Sequence, residues 1–86
     1  MNEYVKFADG SIIPGHARKG VNALFLYLEG ISKEAAQSLL SDPGNVKTII
    51  YHYYKVDLVF EGYTELSVIN QDGDIITAML EKDGAE

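Results

Sequence analysis

Val46-Lys47-Thr48-Ile49-Ile50-Tyr51-His52-Tyr53-Tyr54-Lys55-Val56-Asp57-Leu58-Val59-Phe60-Glu61-Gly62-Tyr63-Thr64-Glu65-Leu66-Ser67-Val68-Ile69 is rich in β-branched and aromatic residues, the composition of sheet. Side chains in a strand alternate between the two faces of the sheet. The even-numbered set, which includes Ile50, His52, Tyr54, Val56, Leu58 and Phe60, reads as the core face. The odd-numbered set is mostly charged, but Ile49, Tyr51 and Tyr53 make an amphipathic patch within it. That patch calls for a cover: the chain's own helix, a second sheet or a partner. Residues 46–69 in one strand would extend roughly 80 Å, so the chain must reverse. The reversal is expected at Tyr54-Lys55-Val56-Asp57, with Glu61-Gly62 as a bulge or bend.

On the C-terminal side, Thr64 to Ile69 and Ile75 to Leu80 flank Asp72-Gly73, a strong hairpin signal. Asp83-Gly84-Ala85-Glu86 reads as a frayed acidic tail. On the N-terminal side, a helix of about residues 32–42 is expected. Ser32 is placed to cap it, and Ile31 and Ala36 stand at hydrophobic-staple spacing. Glu34 complements the helix dipole, and Asp42-Pro43-Gly44 ends the helix. Upstream, Val21 to Glu29 is apolar on both alternating faces, the pattern of a buried central strand. Residues 14–20, Pro14-Gly15-His16-Ala17-Arg18-Lys19-Gly20, read as a loop bounded by breakers and carry the only arginine. Glu3 to Ala8 and Ser11 to Ile13 form a hairpin about Asp9-Gly10. The sum is one α+β domain over residues 1–86, with order β-β-β-α-β-β-β. Its mostly antiparallel sheet is strongly curved or a partial barrel, and one short helix covers a face or an open end.

Composition excludes several classes. With no cysteine, disulfides, thiolate metal sites and cysteine nucleophiles are out. The net charge of −6 argues against direct nucleic-acid binding through a basic surface. The same charge serves solubility, or docking on a basic protein by mimicking nucleic acid. The N-terminus lacks a signal-peptide pattern and no apolar run reaches membrane-span length, so no membrane contact and a cytoplasmic setting are expected.

Catalytic and metal-binding patterns fail on spacing. His16 and His52 are the only histidines, and no HxH, HxxxH or HExxH pair exists, so His52 reads as a core or semi-core residue. Asn70, Asp72 and Asp74 do not keep the calcium-loop order, because Val68 and Met79 fall where the first and last ligands belong. Gly15 to Gly20 lacks the order of a phosphate loop. Glu61 and Glu65, about 13 Å apart along a strand, are too far apart for paired-carboxylate chemistry. No serine sits in a nucleophile elbow. No cofactor and no enzymatic activity are expected.

The strongest functional hint is aromatic. Tyrosine offers large amphipathic area at low entropy cost and is enriched at interfaces. Ile49, Tyr51, Tyr53 and Tyr63 are therefore interaction candidates, with Arg18 and Lys19 as a basic contact for a carboxylate on a partner. Core packing beneath the helix gives Tyr51 and Tyr53 the same sequence pattern, and both readings stand.

Phe7-Ala8-Asp9-Gly10 in the first hairpin, and Phe60-Glu61-Gly62-Tyr63-Thr64 before the last, give the chain a resemblance. It resembles small proteins of unknown function encoded by phages and prophages of Gram-positive bacteria. That resemblance implies a non-enzymatic role in virion or tail assembly, or in blocking a host protein, in the host cytoplasm or in the virion. It brings no functional residues with it. The expectation is a self-associating structural or assembly protein. The alternative is an acidic inhibitor or adaptor of a larger host protein.

Overall fold

The computed structural model describes residues 3–82. The order is β1 (Glu3–Lys6), β2 (Ile12–Lys19), β3 (Ala23–Glu29), α1 (Lys33–Leu40), α2 (Pro43–Val46), β4 (Thr48–Tyr53), β5 (Val56–Glu61), β6 (Glu65–Asp72) and β7 (Ile75–Glu81). The strands form one open, curved sheet in the order β5-β4-β1-β2-β3-β7-β6, with every neighbouring pair antiparallel. This is the α+β architecture expected. The segment 46–69 divides twice: at Tyr54-Lys55, and again after Glu61, where Gly62 takes a φ of +88°. The second division gives four strands after the helices where three were expected.

Local chemistry sets the turns. The first hairpin closes over Ala8-Asp9-Gly10. Gly10 N–H donates to the Phe7 carbonyl, and the Asp9 carboxylate accepts from the Ser11 N–H and hydroxyl at 2.8 and 2.9 Å. Ser32 caps α1 by accepting from the Ala35 N–H at 3.1 Å. Asp42-Pro43 stops that helix as expected, but Asp42 also caps the short turn α2, where proline suits the first position.

Residues 14–20 are not a loop. Residues 12–14 of β2 pair with β1, and residues 15–19 pair with β3. Pro14-Gly15 thus marks a change of partner inside a continuous strand. The β3 ladder begins only at Gly15, so Pro14 interrupts no pairing on that side. Gly15 is required there, since a Cβ would lie 1.9 Å from the Tyr27 carbonyl oxygen. The turn falls later, at Val21-Asn22, with Asn22 at φ +55°.

The core lies on the inner face of the sheet. Val5, Ile13, Leu24, Leu26, Leu28, Ile49, Ile76 and Leu80 pack beneath Ala36, Leu40 and Val46 of the two helical segments. The face assignment within β4 is therefore the reverse of that expected. Ile49 and Tyr51 are buried, and Ile50 and His52 are only half-buried on the outer face. The cause is the two-residue turn: Tyr53 pairs with Val56, so odd positions before it share a face with even positions after it.

Candidate functional site

An open sheet has two edges, and here they differ. β6 bears Glu65 and Asp72 at its ends and Asn70 and Gln71 between them. Its register breaks between Leu66 and Val68, and α1 packs beside it. Bulges, end charges and a flanking helix are the usual protections of an edge. β5, Val56-Asp57-Leu58-Val59-Phe60-Glu61, has no proline, glycine, lysine or bulge, and it pairs with β4 without a register shift. Val56, Leu58 and Val59 are 45%, 40% and 56% exposed. Its inner face carries Val56, Leu58 and Phe60 and its outer face Val59 between Asp57 and Glu61, and among the described residues no strand lies beside its outer backbone groups. Among the described residues seven large apolar side chains are exposed, and four of them, Tyr54, Val56, Leu58 and Val59, fall between 54 and 59. Apolar exposure is thus concentrated on one strand and its turn.

The turn that delivers this edge is unusual. Two-residue hairpins favour glycine or asparagine where φ is positive, yet Tyr54 occupies such a position at φ +54° with 78% of its surface exposed. A bulky residue at positive φ is uncommon outside such turns.

A row of rings supports the hairpin from within the sheet. Centroids are separated by 4.4 Å from Tyr27 to His16, 6.2 Å to Tyr51, 5.1 Å to Tyr53 and 6.0 Å to Tyr54. Arg18 closes the far end, 5.1 Å above the Phe25 ring and donating to the Tyr27 hydroxyl at 3.3 Å. The Tyr51 hydroxyl donates to the Glu3 carboxylate. Burial, then that hydrogen bond and the Glu3 charge, push the Tyr51 phenol up to about 12. On the outer face, His52 stacks on Tyr4 at 4.7 Å and its Nδ1 lies 2.5 Å from Asp57 Oδ1, tying β5 to β4 and β1.

The residues singled out from the sequence therefore separate. Ile49 and Tyr63 are core residues, 0% and 3% exposed, and their place as contact residues is corrected. Tyr51 is buried within the ring row and Tyr53 is half-buried beside it, so they carry the edge rather than form it. Arg18 and Lys19 are exposed, but at the end of β2. Sequence reasoning missed Val56, Leu58 and Val59. Their signal was an apolar run on both faces with no breaker, which reads equally as a buried strand.

Other sites offer less chemistry. An open depression of about 460 Å³ is lined by Glu29, Gly30, Ile31, Ser32, Gln71 and Asp74. Its one hydroxyl already caps α1, and its two carboxylates, Glu29 and Asp74, have no nucleophile among those residues to activate. The His52–Asp57 pair lies on an open surface, with the Asp57 side chain 60% exposed. Among the described residues, no three His, Asp or Glu side chains gather as a metal site would need, and no helix is long and apolar enough to cross a membrane.

Comparisons with protein-family models, with curated proteins and with solved structures give no match for this chain.

Proposed function

We propose that this chain is a structural or assembly module that acts through protein–protein contacts and associates with itself along β5. The observation that carries this reading is the contrast between the two sheet edges: β6 is bulged and flanked by α1, while β5 keeps an unbroken register with β4 and exposes Val56, Leu58 and Val59. An open edge of this kind is completed by strand addition, with main-chain hydrogen bonds giving affinity and alternate side chains giving specificity. The row of rings from Tyr27 to Tyr54 stiffens the hairpin, which lowers the ordering cost of association. The resemblance to phage-encoded proteins supports an assembly role, in the host cytoplasm or in the particle itself.

Light scattering behind a sizing column, over a dilution series, tests the reading. Wild type should show twice the 9.5 kDa of one chain, falling toward one chain only on dilution. Val59→Lys, at an exposed position on the edge, should be monomeric with its fold intact. A wild-type monomer at every concentration would overturn the proposal.

A further inference from the structure

We infer that β5 pairs with β5 of a second copy, antiparallel about a two-fold axis through Leu58, so that two sheets become one; this rests on the self-association proposed above. The backbone sets which residues take part. The Gly62 N–H donates to the Lys47 carbonyl at 3.2 Å, and Val56, Leu58 and Phe60 oppose Tyr53, Tyr51 and Ile49 in the same ladder. Backbone groups alternate in direction along a strand, so even-numbered residues bond to β4 while Asp57, Val59 and Glu61 present their N–H and C=O groups outward.

Face and charge then select the register. When both inner faces lie on the same side, residues opposite one another across the joint share a face, so even meets even and odd meets odd. The axis must therefore pass through a residue. An axis through Asp57 sets that carboxylate against its own copy. An axis through Val59 sets Asp57 against Glu61. Like charges directly opposite destabilise a sheet. An axis through Leu58 sets Leu58 against Leu58 and Val56 against Phe60, apolar against apolar on the inner face. It lets Asp57 and Val59 exchange backbone hydrogen bonds, and it places Lys55 opposite Glu61, a cation against an anion. Of these three axes, this is the one that pairs opposite charges and opposes no like ones; axes through Val56 or Phe60 also oppose no like charges but set at most three of the six residues of β5 against β5 of the second copy, where the axis through Leu58 sets five.

Because the chain has no cysteine, single-cysteine variants report the register directly. Opposed residues in a non-hydrogen-bonded pair sit about 4.5 Å apart at Cα, within the range a disulfide spans. On mild oxidation Leu58→Cys should form covalent dimer several-fold faster than Asp57→Cys or Val59→Cys. At about 0.15 M ionic strength, where repulsion between the two net charges is screened, Lys55→Glu and Glu61→Lys should each raise the dimer dissociation constant by about two- to tenfold, and the double variant should restore it. Faster cross-linking through Asp57→Cys or Val59→Cys, in a protein that still doubles its mass, would overturn this register and leave self-association standing. A monomeric mass at every concentration would overturn both.

Discussion

Tyr51 shows how one residue joins the core to the edge. It is buried, stacks on Tyr53, and gives its hydroxyl proton to Glu3 at the start of β1. Its phenol, pushed up to about 12 from 10.0, holds its proton more firmly in the folded chain than in the unfolded one. The stability this contributes is fully present below about pH 10 and is lost as pH rises from there toward 12. Urea unfolding of wild type and Tyr51→Phe at pH 9 and pH 11 should show the difference: the variant loses less stability between the two pH values. An equal loss in both proteins would mean that Tyr51 does not couple folding to pH. The sequence marked Tyr51 and Tyr53 as the amphipathic feature of the chain. It could not say which face they take, because that depends on where the hairpin turns.

At the scale of the element, the β4–β5 hairpin decides the site. A reversal was legible as a necessity of length, and the observed Tyr54-Lys55 turn lies within the expected Tyr54 to Asp57. Its consequence, that the inner face changes from odd to even positions, was not legible without the register. Nor was the partner change of β2 at Pro14-Gly15, since Pro-Gly reads locally as a break and only the approach of Tyr27 shows why glycine stands there. Ser32 and the two Asp-Gly turns were legible, because each acts through its nearest neighbours. A pair of proline variants tests the hairpin's division of labour. Val59→Pro removes an outward N–H and should leave a folded monomer, with a stability change within about 1 kcal/mol of the wild-type protomer, as prolines are tolerated at open edges. Leu58→Pro leaves the Tyr51 carbonyl without its donor and should cost about 1–3 kcal/mol in denaturant unfolding. Equal destabilisation by the two would contradict the assigned backbone directions.

At the scale of the whole molecule, apolar alternation and turn signals made the fold class legible and left strand order and edges open. Which strand ends the sheet depends on long-range pairing, such as β1 with β4 and β3 with β7, that no local pattern encodes. Charge also acts at this scale. Two copies of net charge −6 repel. With centres about 30 Å apart in water that repulsion amounts to roughly 5 kcal/mol before screening. Each exposed Lys55–Glu61 pair contributes only about 0.2–1 kcal/mol. Repulsion therefore dominates the salt response, and sedimentation should show weaker association at about 0.01 M than at about 0.15 M ionic strength. The opposite trend would assign the contact to ion pairs instead of the apolar strand. The most direct measurement is amide hydrogen exchange, residue by residue along β5, at concentrations above and below dimer dissociation. Asp57, Val59 and Glu61 should be protected only in the concentrated sample, while Leu58 and Phe60 should be protected in both. Free exchange of the outward amides in a sample of doubled mass would show that the copies meet elsewhere and would contradict association through β5.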